Sequence, residues 1–209
     1  MAANMKLAAQ TLFPKAKLVT DRFHVVKLVL EALQHIRVKY RWEAIAEENK
    51  QLAKCRRNRE KFEAERLPNG ETRKELLARS RFLLFKLRSK WTANQKERAR
   101  VLFREYPILR EAYRNTLKFR GIYEETCIEK AKIKFKKWIL ETQMLKLEEF
   151  NTVANSIQHH LDTILNFFIN RSTNAHAESF NAKIKGFRAN LRGVSNPAFF
   201  LFRMEKLFA

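Results

Sequence analysis

Cysteine, glycine and proline are all scarce in this chain of 209 residues, with 2, 4 and 4 copies. Cys55 and Cys127 are too few for a disulfide framework and lack zinc-ligand spacing, so reduced thiols in the cytoplasm are expected. Few glycines and prolines mean few tight turns, which argues against a barrel or sandwich and favours long helices. Long apolar runs are missing too. The longest, Phe82–Phe85 and Ala198–Phe202, fall far short of a membrane span, and the opening MAANMKLAAQ lacks the apolar core of a signal peptide. No membrane partner is expected.

Negative charge is the other shortage: 22 Asp and Glu face 43 Lys and Arg, a net charge of +21. Such a surplus repels itself unless a polyanion is present, which makes nucleic acid the leading partner and a basic membrane-surface protein the main competitor. The chain is not a disordered tail. Its hydrophobic fraction is 45%, with 17 Phe, enough for a sizeable core.

Met1 to Phe13 reads as a short helix stopped by Pro14. Ala16-Lys17-Leu18-Val19-Thr20 reads as the one strand, ending at Asp21. From Phe23 a helical period follows through Val26, Leu30, Leu33, Ile36 and Tyr40. From about residue 43 to 170 the chain reads as helical and highly charged. Leu67-Pro68-Asn69-Gly70 is its clearest break, and a new helix opens near Thr72. Thr92 with Gln95 has the pattern of a capping box, and Pro107 suits a first helical turn. Ile128, Ala131, Phe135, Trp138 and Ile139 share an apolar face, and Leu147 to Ile169 reads as one long helix. After the polar stretch 170–174 comes another helix, ended by Gly193. Asn196-Pro197 then caps a last helix to Phe208.

Two positions could carry chemistry. Asp21 follows a strand, where α/β proteins place their sites, although taken alone such a residue is more often the N-cap of the next helix. His24 has a similar local alternative, a first-turn hydrogen bond. Glu178 lies in Asn174-Ala175-His176-Ala177-Glu178-Ser179-Phe180-Asn181-Ala182-Lys183-Ile184-Lys185. At 3.6 residues per turn, Ala177, Phe180, Ile184, Phe187 and Leu191 form an apolar seam. Asn174, Glu178, Asn181, Lys185 and Arg188 share a polar face with a single carboxylate among donors. That suits a phosphate or metal site, or an ordinary solvated face.

The segment Val19-Thr20-Asp21-Arg22-Phe23-His24-Val25-Val26 and the one around Glu178, with Arg188 and Gly193 behind it, resemble the two C-terminal signatures of bacterial insertion-sequence DDE transposases of the ISL class. The pair in this order is far more specific than either alone. The resemblance implies a mainly α chain: the C-terminal part of a ribonuclease-H-like α/β catalytic domain, interrupted by a large all-helical insertion. The implied division is a partial core over 1–42, a basic helical insertion over 43–170 and core helices over 171–209. It further implies metal-dependent strand cleavage and transfer at transposon ends, with self-association left open.

In that family three carboxylates hold two divalent cations, usually Mg2+ or else Mn2+. By resemblance Asp21 is the second catalytic and metal-binding carboxylate and Glu178 the third. Asn174, Asn181, Lys185 and Arg188 then orient Glu178 or touch DNA. No Asp or Glu precedes Asp21, and Ser179 stands where the family often has glycine. Poor metal binding by this chain alone follows. The rival is a non-catalytic helical DNA-binding module, or a regulator of a full-length transposase.

Arg56, Arg57, Arg59 and Lys61 form one cationic cluster, and Lys130, Lys134 and Lys137 another. Taken singly, either is as readily a solvated helix face as a phosphate contact. With the net charge added, both read as phosphate contacts, which give affinity and salt dependence rather than sequence specificity. Trp42, Trp91 and Trp138 are expected in the core, with base stacking as the alternative.

Overall fold

The computed structural model describes residues 7, 11–15, 17–171 and 175–208, with backbone alone at 175–177. The expected first helix lies largely outside these residues, although Thr11 and Leu12 are helical and Pro14 is in a turn. The chain divides into two compact units, 1–170 and 171–209.

The mainly helical expectation holds, and no strand forms among the described residues. This corrects the strand expected over Ala16–Thr20. A strand needs a neighbour to close its ladder, and Lys17 to Thr20 instead run as irregular chain along a helical end. Asn166 Nδ2 donates to Leu18 O at 2.8 Å, and Thr20 N donates to Thr163 O at 2.9 Å. The two threonine hydroxyls lie 2.7 Å apart.

The spine of the first unit is α1, Arg22–Asn58, whose 37 residues give a length of roughly 55 Å. It buries Val25, Val29, Ala32, Leu33 and Ile36 and packs on α2 (Arg73–Arg79), α5 (Pro107–Ile122) and α7 (Glu148–His159). Between them run α3 (Arg81–Phe85), a 3-10 turn at Arg88–Lys90, α4 (Ala93–Glu105) and α6 (Ile128–Met144). The expected helix from Leu147 to Ile169 is broken into α7, α8 (Leu161–Leu165) and α9 (Phe167–Asn170). The breaks fall at His160 and at Asn166, whose side chain turns away to Leu18.

Local signals place the helix starts. Thr72 and Glu75 make a reciprocal capping box, as do Thr92 and Gln95, and Pro107 sits in the first turn of α5. Gly70 closes the turn before α2 at φ +77°, with its N–H on Leu67 O at 2.7 Å.

The core is aromatic. Phe119 lies 4.6 Å from Trp138 and 5.7 Å from Phe135, centroid to centroid. Tyr123 stacks on Phe168 at 5.7 Å. Burying each such ring contributes about 1.5–3 kcal/mol, and edge or offset contacts add to it. A second cluster joins Trp91, Phe103 and Tyr113. There Tyr113 donates to Lys86 O at 2.8 Å, and burial pushes its phenol up to about 12. As expected, Trp91 and Trp138 belong to the core, and their indole N–H groups donate to Leu83 O and Asn115 O.

Two buried ionic groups complete the first unit. Arg37 donates to Gln34 Oε1 at 2.6 Å and to Leu77 O at 2.9 Å. Glu71 receives Arg98 and Arg79. In the second unit α10 (Ala175–Asn190) and α11 (Pro197–Phe208) are joined by a turn with Arg192 and Gly193 at positive φ. Asn196 Oδ1 accepts from Phe199 N at 3.1 Å, so the expected cap is made.

Candidate carboxylate positions and nucleic-acid interface

Asp21 is half-buried and caps α1, with Oδ1 accepting from Phe23 N at 2.6 Å. The segment leading into it is held by Thr163 and Asn166, so the carboxylate stands at a defined place. Its charge is felt by the Tyr123 phenol, which burial chiefly raises, against the pull of Arg22. The Arg22 guanidinium lies over the Tyr123 ring at 5.3 Å and reaches Glu124 at 3.5 Å. His24 is exposed, its ring edge-on to Phe23 at 5.8 Å.

Glu178 lies in the first turn of α10 with its side chain in solvent. Asn181, Lys185 and Arg188 are exposed on the same helix, and Asn174 lies outside the described residues. A carboxylate in the first turn also suits the positive end of the helix dipole. The seam beside it is only partly covered: Ile184 and Phe187 are half-buried, whereas Phe180 and Leu191 are exposed. Phe187 stacks on Phe200 at 5.5 Å and meets Phe208 at 6.1 Å, and the Arg203 guanidinium lies over the Phe187 ring at 5.2 Å. Two short helices cannot enclose a seam of this length, and none of this unit's described residues is buried.

Among the described residues no three His, Cys, Asp or Glu side chains gather to hold a metal ion. A pair of divalent cations needs several hard oxygen ligands. Asp21 already spends one oxygen on a backbone amide. Among the described residues the donors therefore do not make a complete site for the metal pair implied by the resemblance.

Arg56 and Arg57 occupy the last turn of α1, exposed, where positive charge also suits the helix dipole. Arg59, beyond the helix, is exposed too, and Lys61 reaches Glu63 at 3.5 Å. Lys130, Lys134 and Lys137 are all exposed on α6 but differ in pairing. Lys134 is tied to Glu125, and Lys137 lies 3.9 Å from Glu141, which Lys118 also meets at 2.8 Å. Hydrogen bonds from Lys134 and Lys118 hold those two carboxyls below the usual range.

Three cations of α1 missed in the sequence, Lys39, Lys50 and Lys54, are exposed, and none joins an ion pair among the described residues. Trp42 is the one tryptophan not in the core, being 65% exposed. Its sequence neighbours Arg41 and Glu43 were the available signal. On the flank of α1, a cavity of about 340 Å³ is lined by Tyr40, Phe62 and Tyr106 and by Glu43, Glu47 and Glu48. Its acids would repel a nucleic acid. No helix described is long and apolar enough to cross a membrane.

Comparison with known proteins adds one match. The model of a family described as a transposase, the ISL3 group of DDE enzymes, covers residues 1–204. No curated protein and no solved structure matches the chain.

Proposed function

This chain belongs to the ISL3 family of DDE transposases, and from that membership we propose that it binds transposon-end DNA through its basic helices and carries two of the catalytic carboxylates. Asp21 is the second carboxylate and Glu178 the third. The observation that carries the reading is the span of the family match, which takes in both residues and the helical block between them. In this reading the chain is the C-terminal part of a ribonuclease-H-like domain: partial core 1–42, helical insertion 43–170, core helices 171–209. Asn174, Asn181, Lys185 and Arg188 orient Glu178 or meet phosphates. Arg56, Arg57, Lys130, Lys134 and Lys137 add phosphate contacts that set affinity without reading bases.

The family generally uses divalent metal. In the complete enzyme Mg2+ or Mn2+ would supply charge stabilisation at the scissile phosphate. The donors among the described residues do not complete such a site. The same shortfall favours a second reading, in which the chain binds DNA without cutting it, as a module or as a regulator of a complete transposase.

The test separates capping from chemistry at Asp21. Asparagine caps a helix about as well as aspartate. Asp21→Asn should therefore leave stability nearly unchanged, whereas Asp21→Ala should cost about 0.5–2 kcal/mol. In a transposase carrying the whole carboxylate set, Asp21→Asn and Glu178→Gln should each abolish metal-dependent cleavage of a labelled end duplex while binding persists. Cleavage that survives both changes removes the assignment. Binding without cleavage by the complete protein supports the second reading, and absence of binding at low salt defeats both.

A further inference from the structure

We propose that the solvent face of α1 between Lys39 and Arg57 is a track for an unpaired DNA strand, with Trp42 stacking on one of its bases. The proposal rests on the chain binding DNA and names the form of DNA and the residues that hold it.

At 3.6 residues per turn, Lys39, Trp42, Lys50, Lys54 and Arg57 fall on one side of the helix, and all five are exposed. Ala46 and Ala53, on the same side, are small and exposed, so the indole stands clear of its neighbours. From Lys39 to Arg57 the helix rises roughly 27 Å, at about 1.5 Å per residue, enough to follow several phosphates. None of the four cations is neutralised by an ion pair among the described residues, in contrast to Lys134 and Lys137 on α6. Glu43 also falls within this arc and Glu47 just beyond it, both lining the acidic cavity, so the arc carries four cations against one carboxylate.

Single exposed apolar residues are ordinary on protein surfaces, so the exposure of Trp42 means little by itself. Its setting gives it meaning. Trp91 and Trp138 are buried, and each donates its indole N–H to a backbone carbonyl. Trp42 is 65% exposed and makes no ring or cation contact among the described residues. A free indole between unpaired cations provides both elements of a single-strand platform: a flat apolar surface for a base and charge for the backbone. In an intact duplex the faces of the bases are already covered by their neighbours. An indole on the side of a helix can stack only where a base has left that stack.

Because the other two indoles are buried, emission from Trp42 reports on the track. Wild-type chain is titrated at low salt with a single-stranded DNA oligonucleotide, its duplex, an RNA of the same sequence, and heparin as a polyanion without bases. Single-stranded DNA should quench the exposed-tryptophan emission along the binding curve, and bound duplex or heparin should quench it far less. Trp42→Ala should weaken single-strand binding roughly five- to a hundred-fold. Duplex binding should change by no more than about twofold, as for an ordinary surface substitution. Trp42→Phe should recover most of the loss, and Lys50→Glu should weaken both forms. The inference is overturned if bound single strand leaves Trp42 emission unchanged, or if Trp42→Ala holds it as tightly as wild type. A tighter hold on RNA would overturn the assignment to DNA. Binding to neither single strand nor duplex would instead defeat the DNA-binding reading on which the inference stands.

Discussion

Arg98 grips Glu71 side-on: its Nε lies 3.1 Å from each carboxylate oxygen, and its Nη2 lies 2.7 Å from Oε1. Arg79 adds a third donor at 3.0 Å. Burial of Glu71 by itself raises its carboxyl, but the hydrogen bonds from Arg98 and Arg79 outweigh it and hold the group below the ordinary value of 4.5. Glu71→Gln keeps the shape and removes the charge. Both arginines retain some access to water, so the loss should be about 2–4 kcal/mol, towards the lower end for a broken buried pair.

The same pair sets an acid limb. A carboxylate with a depressed folded pKa contributes stability that is present above its unfolded pKa and lost as pH falls through the folded value. Wild type should therefore lose stability below about pH 4.5. The Glu71→Gln protein should show a flatter profile there, read by urea denaturation across the acid range. An unchanged slope would mean that Glu71 is not the group protonated.

Phe119 is fully buried among Tyr123, Phe135 and Trp138. Phe119→Ala should cost about 3–5 kcal/mol through lost transfer energy and an unfilled cavity. Chemical denaturation measures it directly. A cost below about 1 kcal/mol would place this ring outside the core.

Salt should weaken DNA binding steeply, by several orders of magnitude between about 50 and 200 mM if six or more phosphates are contacted. Reversal of Lys130, Lys134 and Lys137 to Glu should weaken binding to all sequences alike. Arg56→Glu and Arg57→Glu should each cost more than Lys134→Glu, since Lys134 is already held by Glu125. Anisotropy titrations over a salt series give the slopes, and each lost contact should lower them by about 0.9. Binding indifferent to salt would remove the argument from charge.

The two capping boxes should differ in worth. Thr92 is exposed, whereas Thr72 is buried beside Glu71. Thr92→Ala should cost about 1 kcal/mol, and Thr72→Ala should lie nearer the upper figure of about 2 kcal/mol. Thermal melts of the two variants rank them.

Features written in a few consecutive residues were legible in the sequence. Thr72 with Glu75, Thr92 with Gln95, Pro107, and Asn196 with Pro197 all lie where their local chemistry places them. Features decided by distant partners were not. The short β-like stretch to Thr20 has strand character, but a ladder requires a second strand, and Thr163 and Asn166 take its polar groups instead. The same bond from Asn166 falls at one of the two breaks in what reads locally as one long helix. Asp21 was legible as cap or catalyst, and its geometry shows the cap. Which lysines of α6 stay unpaired depends on Glu125, in the turn ahead of that helix, and on the neighbouring α5. Trp42 falls off the buried stripe of α1, and only packing reveals that.

The hydroxyls of Thr20 and Thr163 meet across 143 residues of sequence. During synthesis the amino-terminal partner is made first and waits for the other. At about 5–20 residues per second, that interval is roughly 7–30 s. For that time α1 can coil, but nothing holds the residues leading to Asp21 in register with it. A chain cut short before residue 163 lacks this tie, and the cap on Phe23 is left to hold the carboxylate by itself.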